Sequence, residues 1–271
     1  MKIKNIGHLA VLLIPIISFS CKKDNSIQVI DIPIEATEVA RIKYFNFTAG
    51  SPSVNFYANG VKVSGILSNT GSESTAGTAY GAVYPASNYS VINPATYKIN
   101  GIIPSTATAN ANVTISEVNS NLEKGKYYSL YTGGIYNSAT KTAESFILED
   151  VLPPNNASNM VAYVRFVNAI PNGNSPMTLV IKNAVSGLET VVATGIAYKA
   201  GSVFVPVPIG SYELYVRYSA SGINIISRNG TTNGVVPFLG GRTYTVGARG
   251  DITITSATAA TRPLIDNTAN Q

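Results

Sequence analysis

Few side chains in this chain can carry familiar chemistry. It has one cysteine, Cys21, and one histidine, His8, both within the first 21 of 271 residues. From residue 22 onward no Ser-His or Cys-His couple can form, and no zinc site built on His or Cys. Oxygen-ligand calcium binding and carboxylate catalysis stay open. Glu149-Asp150 are neighbouring acids. Carboxylates flanking a glycosidic bond must face each other across a cleft, roughly 5–9 Å apart. Neighbours on a strand point to opposite faces, so this pair reads instead as a strand end entering a linker. Arg41, Lys43 and Arg165 have the charge to bind an anionic ligand, but their alternation with apolar residues places them on the solvent side of strands. Tyr127, Tyr128, Tyr131 and Tyr136 have the makings of an aromatic platform for sugar rings. Alternation puts Tyr127 and Tyr131 on one face and Tyr128 on the other, so one of these sets belongs to a core.

Cys21 has a context of its own. Lys2 and Lys4 precede an apolar stretch from Ile6 to Phe19, and Ser18-Phe19-Ser20 meets the cysteine. A basic start, a short apolar core and a small-residue exit form a secretory signal. The stretch is shorter than the roughly 20 residues that span a bilayer, and Pro15 breaks it, so it reads as cleaved. A lone Cys at this place, followed by Lys22-Lys23-Asp24-Asn25-Ser26, resembles a bacterial lipoprotein signal. The resemblance implies cleavage before Cys21, acylation of its thiol and stable membrane anchoring by two or more chains. The usual Leu three residues before the Cys is replaced by Ser18, with Ile17 one further out. The alternative is an ordinary secreted protein with an unused thiol. The implied location is the cell envelope, on the outer membrane of a Gram-negative bacterium. Lys22-Lys23-Asp24 matches only partly the acidic marks that direct some lipoproteins to the cell surface.

With Lys2 and Lys4 removed in the signal, the charge falls from +5 to +3 and is spread along the chain. That argues against nucleic acid as a partner, which would need clustered Lys and Arg. Charged residues make up 12%, against a usual value of about 25%, while 45% are hydrophobic and Tyr is abundant. This suits an extracellular β-protein and not a disordered chain.

The elements that must position these groups are strands. Val54, Phe56 and Ala58 alternate with polar residues, and Asn59-Gly60 follows, a strong hairpin signal because both turn positions need positive φ. The two-residue loop predicts pairs Ala58–Val61 and Phe56–Val63, with Val54, Phe56, Ala58, Val61 and Val63 on one buried face. A period of two recurs in Tyr127–Thr132, Ser145–Leu148, Val203–Val207, Tyr212–Tyr218, Ile223–Ser227 and Thr243–Ala248. No long helical period appears. Such strands, punctuated by Gly, Pro and Asn, predict an all-β sandwich.

The chain is also duplicated. Ala40–Asn46 (ARIKYFN) aligns with Ala162–Asn168 (AYVRFVN), and Ser51-Pro52 and Ser175-Pro176 follow. Ala95–Ile99 aligns with Gly210–Leu214, and Gly125–Leu130 with Gly241–Val246. Tyr97 and Tyr212 fall at equal places, where a tyrosine corner would stand. These blocks resemble the bacterial family known as domain of unknown function 4397. Lys43-Tyr44-Phe45-Asn46, Arg165-Phe166-Val167-Asn168, Asn59-Gly60, the two Tyr-bearing starts and the two Gly-Lys/Arg starts carry the likeness over most of 38–265. Asn46 and Asn168 stand where many members have His. The resemblance implies immunoglobulin-like sandwiches on a secreted or lipid-anchored protein and supplies no catalytic residues.

The reading is therefore a signal at 1–20, a tether at 21–37, antiparallel β-sandwich domains at 38–152 and 160–265, a linker at 153–159 and a tail at 266–271. The polar stretch Ser68–Ala79 reads as a long tolerated loop. Function is expected to be non-enzymatic: a lipid-anchored envelope protein for adhesion, or for binding a glycan or protein ligand, with no cofactor and no metal. The alternatives are a carboxylate-dependent glycosidase or accessory subunit of polysaccharide uptake, and a purely structural envelope component.

Overall fold

The computed structural model describes residues 38–65, 76–154, 159–231 and 234–271. The signal, Cys21 and the tether lie outside the described residues, as do most of the polar loop and the middle of the linker. Among the described residues every regular element is a β-strand, and they lie within one compact unit, Ile34–Gln271.

Among the described residues the first sandwich has nine strands. One sheet holds β1 (Ala40–Asn46), β4 (Val83–Tyr84), β5 (Ser90–Ile92), β8 (Tyr127–Asn137) and β9 (Thr142–Glu149), in the order β4-β1-β8-β9 with β5 also on β1. Facing it are β2 (Asn55–Ala58), β3 (Val61–Lys62), β6 (Ala95–Ile102) and β7 (Thr114–Leu122), in the order β3-β2-β6-β7. Ile42, Tyr44, Phe56, Ile99 and Leu130 are buried between them. The second sandwich repeats the plan. β10 (Val161–Asn168), β13 (Ala200–Gly201), β14 (Val205–Pro208), β18 (Thr243–Arg249) and β19 (Leu264–Ala269) form one sheet, in the order β13-β10-β18-β19 with β14 also on β10. β11 (Met177–Asn183), β12 (Glu189–Ile196), β15 (Gly210–Tyr218), β16 (Asn224–Arg228) and β17 (Val236–Phe238) form the other. Val164, Phe166, Leu179, Leu214 and Val246 lie in its core.

The blocks aligned in the sequence pair in the same register. Arg41 opposes Tyr127 as Tyr163 opposes Thr243. These two pairs run parallel, so the sandwiches are not antiparallel throughout. Parallel neighbours need a crossover connection, and in each repeat the chain makes it through the facing sheet. The Asn59-Gly60 turn has positive φ at both residues, 48° and 81°, and pairs Ala58 with Val61. Val61 is nevertheless exposed, because β3 is a two-residue edge strand that leaves it uncovered. The expected tail is also structured. Residues 264–269 pair with β18, and Asn270 N donates to Thr243 O at 2.8 Å.

The largest correction concerns the charged face of β1 and β10. Lys43 is 0% and Arg165 2% exposed, so neither faces solvent. The outer faces of the β1 and β10 sheets pack on each other, and a third apolar cluster of Phe45, Phe47, Tyr131, Phe146, Val167 and Ala169 lies between the repeats. The alternation gave the face correctly, but that face is covered by the other sandwich.

Candidate functional site: the seam between the sandwiches

Beside this apolar cluster lies a buried polar group whose members come from equivalent places in the two repeats. The registers set Ser129 against Thr245 and, one step past β9 and β19, Asp150 against Asn270. They also set Tyr89 against Phe204, each one residue before the strand that pairs with β1 or β10. Each repeat thus supplies a cation, a ring, a hydroxyl and an acceptor: Lys43, Tyr89, Ser129 and Asp150 from the first, and Arg165, Phe204, Thr245 and Asn270 from the second. Each cation lies over its own repeat's ring, Lys43 5.5 Å from the centroid of Tyr89 and Arg165 4.8 Å from that of Phe204. Each then reaches into the other repeat. Arg165 Nη2 is 2.6 Å from Asp150 Oδ1 and 3.1 Å from Ser129 Oγ, while Lys43 Nζ donates to Ala269 O. The seam therefore has an approximate twofold axis.

The bonds close into a ring. Arg165 Nε donates to Thr245 Oγ1 at 2.9 Å, and Thr245 Oγ1 to Asn270 Oδ1 at 2.8 Å. Asn270 Nδ2 donates to the Tyr89 hydroxyl, which donates to Asp150 Oδ2 at 2.7 Å. Ser129 Oγ also donates to Asp150 Oδ2, at 2.6 Å. Asp150 pairs with Arg165 and completes the circuit. Buried charge is tolerated when it is paired, and Asp150 accepts hydrogen bonds at Oδ2 from its own repeat while Oδ1 makes the ion pair with Arg165 across the seam.

The charge is not balanced, since two cations share one carboxylate. Burial pushes Lys43 down to about 8, and Arg165 adds to this while Asp150 opposes it. Burial works against the Arg165 charge, but Asp150 together with Tyr131 and Tyr89 offsets it, and the guanidinium is held above its ordinary value. At the far end of the seam Arg249 pairs with Asp266 and stacks 4.4 Å from the Tyr80 ring centroid. Lys199 meets Glu144 at 2.5 Å. This arrangement can hold two sandwiches in one orientation. It offers no acid or base to a substrate, because its carboxylate is wholly buried.

The other candidate residues fall elsewhere. Arg41 stays half-buried, 5.1 Å from the Tyr127 ring centroid. Tyr128 is in the first core, Tyr131 is fully buried in the seam, and Tyr136 packs against the first core. The four tyrosines form no platform. Glu149 ends β9 and Asp150 follows it into the seam. Tyr97 and Tyr212 each donate to the backbone oxygen four residues upstream, Asn93 and Pro208, both at 2.9 Å, which is an architectural bond. Among the described residues no group of three or more His, Cys, Asp or Glu is placed to hold a metal. No described helix is long and apolar enough to cross a membrane.

Sequence reasoning missed Ser129, Thr245, Tyr89, Phe204 and Asn270. The available signal was in β1 itself, where the neighbours Tyr44 and Phe45 put large aromatic rings on both faces. A strand buried on both faces reads in this way.

Residues 40–174 match the family described as Domain of unknown function (DUF4397). The chain carries a DUF4397-like domain. The match runs from β1 through β10, so it takes in Lys43, Ser129, Asp150 and Arg165 together. No curated protein matches the chain. Similar solved structures include the Bacillus anthracis TIE protein, at 12% identity over 79% of this chain and 34% of that one, with a TM-score of 0.25. Another is a leucine-rich repeat protein from Bacteroides thetaiotaomicron VPI-5482, at 11% identity over 79% of this chain and 26% of that one, with a TM-score of 0.23. The DUF4397-like chain thus spans about a third and a quarter of those two proteins.

Proposed function

We propose that this protein is a non-enzymatic, lipid-anchored component of the bacterial cell envelope, held by acyl chains on Cys21, whose sandwich loops bind a glycan or protein ligand. The observation that supports the reading best is the use of the buried charges. Arg165, Asp150 and Lys43 are engaged in joining the two repeats, and none is open to a substrate. Clefts among the described residues lie beside Ile103–Ala109, Ile252–Ala257, Ile170–Pro176 and Tyr89–Tyr127, and no Asp or Glu lines any of them. A glycosidase needs two such acids across a cleft, so no observation favours that alternative. A rigid pair of β-sandwiches with long connecting loops suits recognition, since loops on a fixed scaffold commonly carry it.

The test has two parts. Intact mass of the membrane-extracted protein should show acyl chains on Cys21, and proteolysis of intact cells should decide whether the sandwiches face outward. The full-length protein should then bind on a glycan array or in a cell-adhesion assay. Failure to bind any glycan, matrix protein or envelope partner would leave a structural role in place of a binding one.

A further inference from the structure

Strands on the two sides of the seam run in the same direction. Lys43 and Arg165 reach the other repeat from the middle of β1 and β10, whereas Lys199 pairs with Glu144 near the ends of both strands. Between them, a Cβ added at Gly247 would lie 2.6 Å from the Phe47 ring. Both sandwiches therefore present the start of their first strand at one end of the molecule. The chain that leaves Cys21 enters the fold at that end, at Glu38.

At this end the two repeats differ in kind. The first carries Glu38, Glu123, Lys124 and Lys126, tied by Lys124–Glu38 at 3.3 Å and Lys126–Glu123 at 3.1 Å. By the alignment, Met160 takes the place of Glu38, Leu239 that of Glu123, Gly240 that of Lys124 and Ile209 that of Pro94. Met160 is 70%, Leu239 55% and Ile209 44% exposed, and the adjoining tip between β11 and β12 adds Val185 at 93% and Leu188 at 69%. These groups are neighbours. Ile209 N donates to Met160 O, Ala184 N to Ser211 O, and Phe238 pairs with Gly210. The first repeat shows that the fold accepts charge in place of Met160 and Leu239, so packing does not require apolar groups at those two positions. A contiguous exposed apolar patch marks a contact surface.

We propose that this end of the second sandwich rests on the lipid bilayer that holds Cys21, a step that builds on the lipid-anchor reading above. Three observations favour a bilayer over a protein. The chain from the anchor enters at the same end. The sixteen residues 22–37 reach at most roughly 55 Å. Arg242 borders the patch, and Lys182, paired with Glu213, lies beside it, a combination of apolar and basic groups that suits an interfacial contact.

The chain has no tryptophan, so a single one makes a clean reporter. The full-length lipidated protein would be reconstituted into phosphatidylcholine–phosphatidylglycerol vesicles with brominated acyl chains. Leu239→Trp should lose more than half of its fluorescence, and Ile135→Trp, at the opposite end of β8, should keep it. Adding Val185→Glu and Leu188→Glu, both in an exposed turn, should restore the Leu239→Trp signal without moving the unfolding midpoint. An unquenched Leu239→Trp in a protein whose intact mass shows acylated Cys21 would overturn the docking while leaving the anchor. An unmodified Cys21 would overturn the anchor and this proposal with it. A lipid-independent dimer abolished by Leu188→Glu would assign the patch to a second copy and equally overturn the bilayer.

Discussion

Replacing Lys43 with methionine should stabilise the protein at neutral pH and flatten its alkaline stability profile. Lys43 is fully buried with Asp150, Arg165 and Tyr89 around it, and burial lowers it from 10.5 to about 8. Between those values the unfolded chain keeps a proton that the folded chain has lost. The unfolded state then binds more protons, and stability rises with pH. Below pH 8 the cost of the buried charge is complete. Each pKa unit corresponds to about 1.4 kcal/mol, so the native protein should gain about 2–3 kcal/mol between pH 7 and pH 10. The methionine variant has nothing to titrate there. It should be more stable at pH 7 by about 1–3 kcal/mol, less than the full cost because the bond to Ala269 O is lost. Burial raises Tyr44, Tyr89 and Tyr131, which reverses the trend above pH 10 in both proteins and cancels in their difference. Urea unfolding of both at pH 7, 8.5 and 10 provides the measurement. Parallel profiles, or a variant less stable at pH 7, would refute the argument.

Asp150→Asn should destabilise strongly, by about 3–5 kcal/mol in denaturant unfolding, because Arg165 is left buried without its carboxylate. Gly247→Ala should cost about 1–3 kcal/mol, since its Cβ would meet the Phe47 ring at 2.6 Å, and Phe47→Leu should recover part of that loss in the double variant. Tyr212→Phe should cost about 1 kcal/mol and more than Tyr97→Phe, because Tyr212 is only 3% exposed and its loss leaves Pro208 O without that donor. Gly60→Ala should cost about 1–2 kcal/mol through its positive φ alone, as nothing lies within 4 Å of the new methyl group; thermal unfolding would show this.

The sandwich class, the duplication and the Asn59-Gly60 turn were legible because each rests on local pattern. A period of two reports which residues share a face, and repeated blocks report equal register. β7 was hidden because Thr114–Leu122 carries Asn and Glu, which are depleted in strands; pairing with β6 and the burial of Ile115 and Leu122 hold it. β11 was hidden because Leu179-Val180-Ile181 is apolar and buried without alternation. Lys43 and Arg165 were misplaced for a different reason. Alternation assigns a face but does not say what covers it. The covering surface comes from residues such as Ala269 over Lys43 and Ser129 against Arg165, far away along the chain. Asp150 looked like a strand end entering a linker, and so it is, but its role depends on Arg165 arriving from the next repeat.

The unequal charges across the seam also act as a pairing code. Two second sandwiches placed face to face would bury two Arg165 side chains against two asparagines, with no acid between them. Two first sandwiches would match two lysines with two aspartates and balance. Only the mixed pair joins Arg165 to Asp150 while leaving Lys43 as the single surplus charge. Second sandwiches of different chains are therefore barred from joining one another, and the second sandwich of the same chain keeps the first one occupied.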